Sequence, residues 1–135
     1  MKGMKTWRGF TLMELLVVMG IIVLLMGVGV VNYSQTNKKA RDAKRKADIE
    51  SIRSALELYR TDQGRYPALT VNGNACITST DIIGGGVTYL NAMPVDTKYD
   101  GVTYCYKYVL GASPFTTYSL ACTFEDGGSC SYANP

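Results

Sequence analysis

Residues 8–31 read RGFTLMELLVVMGIIVLLMGVGVV, and this stretch decides how the rest of the chain is interpreted. From Phe10 to Val31 the only strongly polar side chains are those of Thr11 and Glu14. As a helix, these residues would extend about 33 Å, which matches the roughly 30 Å hydrocarbon core of a bilayer. The sequence therefore predicts a transmembrane helix at residues 10–31.

Two ordinary kinds of membrane segment fit this stretch less well. A secretory signal peptide has a shorter apolar region, of about 7–15 residues, followed by a small-residue cleavage site. Residues 32–35 read NYSQ and offer no such site. A simple signal anchor fits the length but gives no reason for Glu14, the fifth residue of the apolar run.

The junction Arg8-Gly9-Phe10-Thr11-Leu12, followed by Glu14, resembles the class III signal of type IV pilins and type II secretion pseudopilins. The resemblance implies that a prepilin peptidase cleaves between Gly9 and Phe10 and then methylates the new amine of Phe10. It also implies that Glu14 acts in filament assembly, so that residues 10–31 are an assembly helix as well as an anchor.

Residues 1–9 would then be a leader peptide. Its positive charges, on Lys2, Lys5 and Arg8, favour a cytoplasmic N-terminus. A second basic cluster at residues 38–46 follows the apolar run and weakens that inference, so the predicted orientation depends mainly on the resemblance.

The charge of the chain gives no sign of nucleic-acid binding. The formal charge of +3 equals the charge of the leader, so the mature chain would be neutral. Residues 32–66, which we call the stem, carry nine basic and five acidic side chains, whereas residues 67–135, the head, carry two and five. We expect the basic stem and the acidic head to attract one another between subunits.

Four cysteines lie in the head, and an even number in a small exported domain predicts two disulfides. Three pairings are possible. The short spacing of Cys122 and Cys130 gives a slight preference to that pair, with Cys76 bonded to Cys105. A bond between Cys105 and Cys122 across a hairpin is the chief alternative.

An enzyme is not predicted. The chain has no histidine, no CxxC motif and no credible arrangement of catalytic carboxylates, so no catalytic residue is assigned.

No proline interrupts residues 10–66, so the anchor is predicted to continue into an amphipathic stem helix that ends near Gly64. Residues 38–46 are predicted to form a solvated charged face. An apolar stripe able to receive a sheet begins at Ile49 and continues through Ile52, Ala55, Leu56 and Tyr59. Residues 58–67, LYRTDQGRYP, resemble a turn of the major pseudopilin of type II secretion systems.

The predicted fold is α+β and type IV pilin-like, with one long helix packed on a small antiparallel sheet in a disulfide-stapled head. Strands are predicted at residues 102–109 and 116–124, with the Leu120 face on the stem stripe. A short helix is predicted to begin near residues 79–81, and residues 130–135 are predicted to be irregular.

The family resemblance also implies a weak candidate calcium site in the head; otherwise no cofactor is predicted. The matching carboxylates lie near a Met-Pro-Val-Asp step and in a C-terminal turn, and are Asp96, Asp100, Glu125 and Asp126. Hard oxygen ligands suit calcium. The spacing after Asp96 is about two residues longer than the family pattern, which puts the site in doubt.

The resemblance implies a structural subunit of a type IV pilus-like filament, most like the major pseudopilin of type II secretion. The expected partners are further copies of the chain, a prepilin peptidase, an inner-membrane assembly platform and minor pseudopilins. The protein would cross the inner membrane once, with its head outside, before entering an extracytoplasmic or cell-surface filament. The alternatives are a pilin of a surface type IV pilus, serving adhesion, motility or DNA uptake, and a membrane-anchored binding module.

Overall fold

The computed structural model describes residues 9–134 and leaves out the side chains of residues 28–32. The leader charges Lys2, Lys5 and Arg8 therefore lie outside the described residues. The chain divides into two compact units, the first ending at Asn37 and the second beginning at Lys38.

One helix, α1, runs from Leu12 to Gln63. It ends where the sequence predicts, because Gly64 adopts a positive φ of 73° and its amide donates to the carbonyl oxygen of Arg60 at 2.8 Å. A left-handed residue at this position is the common way for a helix to stop, and glycine adopts it without steric cost.

Among the described side chains of the first unit, none is buried. Its large apolar side chains from Phe10 to Met26 are all at least 45% exposed. Within the described part of the chain, where the side chains of residues 28–32 are missing, no helix is both long enough and apolar enough to cross a membrane. The transmembrane segment at residues 10–31 stays a prediction.

The second unit contains the stem part of α1 and five strands in two antiparallel sheets. A two-stranded sheet pairs β1 with β2, and a three-stranded sheet has the order β3-β4-β5. The strand bounds are Ile82–Gly84, Val87–Leu90, Lys107–Leu110, Tyr118–Thr123 and Ser129–Asn134. The predicted α+β class, with one long helix and a small antiparallel sheet, is confirmed.

A single hydrophobic cluster joins the stem stripe to the three-stranded sheet. Ile49, Ile52 and Leu56 of the stem are fully buried, and so is Leu120 of β4. The prediction that the Leu120 face packs on the stem stripe is therefore confirmed. Burying each such side chain stabilises the fold by about 1.5–3 kcal/mol.

The helix predicted near residues 79–81 is wrong. The chain there leads into the β1–β2 hairpin, whose two-residue loop consists of Gly85 and Gly86 with φ of 58° and 82°. Positive φ at both loop residues matches the twist of a two-residue hairpin. Gly84 allows a close approach, because a Cβ there would lie 2.3 Å from the ring of Tyr59.

The predicted strand at residues 102–109 is wrong in its first half, since β3 begins only at Lys107. One carboxylate oxygen of Asp100 accepts hydrogen bonds from the amides of Val102, Thr103 and Tyr104, at 2.8–3.0 Å. Amides that converge on one oxygen cannot point alternately to both sides, as strand pairing requires. This segment is therefore a turn.

The predicted irregular tail is also wrong. Residues 129–134 form β5, which pairs with β4 along its whole length. The connecting turn contains Gly127 with a φ of 89°, and Asp126 accepts the amide of Gly128 at 2.9 Å.

Candidate functional site

The predicted processing junction lies at the start of the described chain. Gly9 precedes the helix, and a Cβ placed on it would meet no atom within 4 Å. Phe10 is 87% exposed. Both residues are therefore accessible, as a peptidase substrate requires, although cleavage and methylation stay predictions.

Glu14 closes a capping box at the start of α1. Its Oε2 accepts hydrogen bonds from the amide of Thr11 at 3.0 Å and from the Thr11 hydroxyl at 3.1 Å. In return, the amide of Glu14 donates to the Thr11 Oγ1 at 3.2 Å. These reciprocal bonds satisfy amide groups that the first helical turn leaves unpaired.

Sequence reasoning missed this role, although the signal was present. A threonine followed three residues later by glutamate, just before an apolar run, is the usual pattern of a capping box. The carboxylate of Glu14 thus has a use within one subunit. A contact between Glu14 and a neighbouring subunit must either replace the hydrogen bonds from Thr11 or form in addition to them.

A second group of charged residues joins the stem to the head, within the second unit. Arg45 on α1 is only 2% exposed, and its guanidinium lies between carboxylates from three parts of the chain. Nε lies 2.5 Å from Asp96 Oδ2, NH1 lies 2.5 Å from Asp42 Oδ1, and NH2 lies 3.5 Å from Glu125 Oε1.

Two further cations form ion pairs with Glu125. Arg41 donates to both of its carboxylate oxygens, and Lys98 donates to Oε2 at 2.8 Å. The side chain of Glu125 is 3% exposed. The amide of Glu125 donates to Asp42 Oδ1 at 3.1 Å, which ties the β4–β5 turn to the stem.

These contacts correct one expectation. Residues 38–46 do not form a wholly solvated face, because Arg45 is buried and Arg41 is partly covered. The basic stem and the acidic head are ion-paired within this one chain, and their attraction between subunits stays a prediction. The periodicity of the helix could not show this, because Asp96 and Glu125 are distant in sequence.

The network favours the ionised forms of Asp96 and Glu125. Burial alone would raise the pKa of Asp96, but hydrogen bonds from Arg45 and from the amide of Lys98 hold it below its ordinary value. Hydrogen bonds from Arg41 and Lys98 hold the pKa of Glu125 well below its usual range. The bond to Asp96 raises the pKa of Arg45 in turn.

The four calcium candidates do not form one ligand set. Asp96 and Glu125 meet through Arg45, whereas Asp100 and Asp126 accept backbone amides within their own turns. Over the part of the chain that the structure describes, no group of three or more potential ligands could hold a metal ion.

The four cysteines form two disulfides in the structure. Cys76 is bonded to Cys105 and Cys122 to Cys130, with Cα–Cα distances of 5.6 Å and 5.1 Å. This is the pairing that the sequence slightly favours. Cys122 and Cys130 face each other directly across β4 and β5, so their bond staples the edge of the sheet.

Comparison with known proteins places this architecture in a family. Residues 32–132 match the model of the family described as type II secretion system (T2SS), protein G. The type II secretion system core protein G of Pseudomonas aeruginosa is 31% identical over 90% of this chain and 87% of its own length. No solved structure matches the chain.

Other relatives match over shorter segments. The core protein G of Pectobacterium carotovorum is 37% identical over 56% of this chain, and that of Vibrio cholerae is 35% identical over 58%. The matches cover 48% and 53% of those two proteins, so the chain spans about half the length of these relatives. Together, the family match and the Pseudomonas relative show that the chain belongs to the type II secretion system protein G family.

Proposed function

We propose that this chain is a structural subunit of a type II secretion pseudopilus, a filament assembled from the inner membrane by stacking many copies. The observation that carries the proposal is the exposure of the apolar side chains at residues 10–26, at least 45% each, in a chain of the protein G family. An apolar surface of this extent marks a membrane or protein contact.

The proposed occupant of that surface is the same segment of further copies. Before assembly, residues 10–31 would lie in the inner membrane, where apolar side chains need no protein partner. Once extracted from lipid, each buried side chain would contribute about 1.5–3 kcal/mol, which strongly favours a filament core. The stem stripe is not available for this contact, because it packs on the head of the same chain.

Processing by a prepilin peptidase would come first. We propose cleavage between Gly9 and Phe10, followed by methylation of the Phe10 amine, and the exposure of both residues supports access by the peptidase. Minor pseudopilins and an inner-membrane assembly platform would be the other partners. Catalysis forms no part of the proposal.

A direct test of processing replaces Gly9 with leucine. A side chain at this position should obstruct entry of the backbone into the peptidase, so Gly9→Leu should accumulate at full length. Gly3→Leu, at a glycine of the same leader, is the matched control and should mature normally. Intact mass spectrometry of wild-type filaments should show a chain that begins at Phe10 with one added methyl group. Functional filaments built from chains that begin at Met1 would contradict the proposal.

The alternative of a surface type IV pilus is tested by deletion. If the chain serves secretion, a strain that lacks it should stop releasing folded exoproteins into the medium and keep its pilus-dependent motility. The opposite pattern would show that the chain is a pilin of a surface pilus. The names of the relatives favour secretion.

A further inference from the structure

Asp96 and Glu125 lie in two acidic loops of the head that meet the stem. Their carboxylate oxygens already accept hydrogen bonds from N–H donors. Asp96 Oδ2 accepts from Arg45 Nε, and Oδ1 accepts from Arg45 NH2 at 3.0 Å and from the Lys98 amide at 2.8 Å. Both oxygens of Glu125 accept from Arg41, and one of them also accepts from Lys98. Each carboxylate oxygen of these two residues therefore has an N–H partner.

The charges of the group also balance without a metal ion. The cations are Arg41, Arg45 and Lys98, and the anions are Asp42, Asp96 and Glu125. Calcium requires six to eight oxygen ligands. To obtain them here, it would have to displace N–H donors from the same carboxylates and then lie beside three positive groups, which Coulomb repulsion opposes.

Arginine cannot make room by losing its proton. An arginine guanidinium is always charged in proteins, and Arg45 is held with only 2% of its side chain exposed. The residues that the family resemblance offers for calcium therefore do not fit a calcium site in this chain.

We propose that the side-chain cations of Arg45, Arg41 and Lys98 take the place of a divalent cation in fastening the two acidic loops to the stem, so that this protein folds independently of calcium. The inference concerns the stability of one subunit. It does not depend on the proposed role in a secretion filament.

The first test compares melting temperatures of the full chain, purified in detergent, with a chelator and with calcium at about 10 mM. That concentration is about tenfold above the weakest dissociation constants of extracellular calcium sites, about 10⁻³ M. Even so weak a site would raise the melting temperature of the roughly 100-residue second unit by about 5–10 °C. We expect a change of less than about 2 °C, and a rise of the larger size would overturn the proposal.

The second test removes the central cation. Arg45→Gln leaves Asp96 and Asp42 without their buried partner and should lower the melting temperature by more than about 10 °C. Arg53→Gln is the matched control, because Arg53 pairs with Glu50 on the same helix but is 44% exposed. Arg53→Gln should lower the melting temperature by less than about 3 °C. Equal effects of the two substitutions would contradict the proposal.

A third pair of variants keeps the proposal testable if Arg45→Gln does not fold. Lys98 is 46% exposed, so its substitution should be tolerated. Lys98→Gln should lower the melting temperature, and Lys98→Arg, which keeps the charge near Glu125, should restore most of the loss. If Gln and Arg at this position give the same melting temperature, the cation has no fastening role.

Discussion

Substitutions at Glu14 and Thr11 can separate two roles of one carboxylate. In the single chain, Glu14 caps its own helix through Thr11. In the proposed filament, the same carboxylate would meet the methylated amine of Phe10 from a neighbouring subunit and set the register of assembly. The two roles differ in whether they need a charge. The side-chain amide of a glutamine can accept the capping hydrogen bond, but it cannot neutralise the ammonium group of a neighbouring Phe10.

Each role has an expected magnitude. Thr11→Val removes the two hydroxyl-dependent bonds of the capping box, at 3.1 Å and 3.2 Å, and keeps the carboxylate. Loss of such a cap costs about 0.5–2 kcal/mol. Glu14→Gln keeps an acceptor for the Thr11 amide but would leave an ammonium group unpaired in an apolar core. Breaking a buried charge pair costs about 3–5 kcal/mol, or roughly 10²–10⁴-fold in an association constant.

We therefore expect Glu14→Gln and Glu14→Ala to abolish or strongly reduce filaments, and Thr11→Val to reduce them only modestly. The assay is the amount of chain in sheared filaments, normalised to the processed chain remaining in the membrane. Cleavage at Gly9 should be unaffected in all three variants. Co-expression with wild type should partly restore incorporation of Glu14→Ala, because the Phe10 amine of the variant can still pair with Glu14 of a wild-type neighbour.

Two outcomes would refute this reasoning. A normal filament yield from Glu14→Gln would show that the charge is not needed. A loss with Thr11→Val as severe as that with Glu14→Gln would show that the capping box, rather than a pair between subunits, is what assembly requires.

Further predictions concern the head. Leu120→Ala should destabilise the full chain by about 2–5 kcal/mol in denaturant titration, because Leu120 is fully buried. Val109→Ala is the control, because Val109 on the adjacent strand is 54% exposed, and it should destabilise the chain by less than about 0.5 kcal/mol. Cys76→Ala opens a disulfide loop with a sequence separation of 29 and should lower the free energy of unfolding by about 3–4 kcal/mol. Cys122→Ala opens a loop with a separation of 8 and should lower it by roughly 2–3 kcal/mol. Equal losses would show that loop length does not determine the effect. Because the pKa of Asp96 is lower in the folded state, the stability that it contributes is fully present above the ordinary carboxyl pKa of about 4 and is lost as the pH falls below it. Stability of the wild type should therefore fall between about pH 5 and pH 3 in urea titrations, and Asp96→Asn should flatten this dependence; parallel curves would contradict the assignment.

Local signals in the sequence predicted the parts of the fold that local physics determines. The end of α1 depends on one glycine that can adopt a positive φ, and the sequence places Gly64 there. The stem stripe has helical spacing that a single sheet face can cover, so the burial of Ile52 and Leu56 against Leu120 follows from the pattern.

The failed strand at residues 102–106 shows where a local pattern misleads. Alternating tyrosines favour a strand, and the buried Tyr106 and Tyr108 do line the core. However, the single carboxylate of Asp100 binds three successive amides, and the turn that results delays the strand to Lys107. Such a turn is hard to predict, because it depends on which of several acceptors the amides choose.

The buried Arg45 could not be predicted for a different reason. Three of its four neighbours at i±3 and i±4 on the helix are charged and only Ile49 is apolar, which favours a solvated face. Its burial depends on Asp96 and Glu125, which lie 51 and 80 residues later in the chain. Only the tertiary fold brings these charges together, so the sequence indicated the acidic loops but not the buried Arg45 that binds them.

The size of the head explains why its loops are fastened by covalent bonds and charges. A domain of about 100 residues has one small core, and here that core is shared between the stem stripe and a three-stranded sheet. The long connections at residues 64–81 and 91–106 contribute few side chains to it. The bond between Cys76 and Cys105 joins these two connections, and Arg45 joins the second one to the stem through Asp96. The disulfides need an oxidising compartment and the ion pairs need a pH above the carboxyl range, so both conditions must hold where the proposed filament subunit completes its fold.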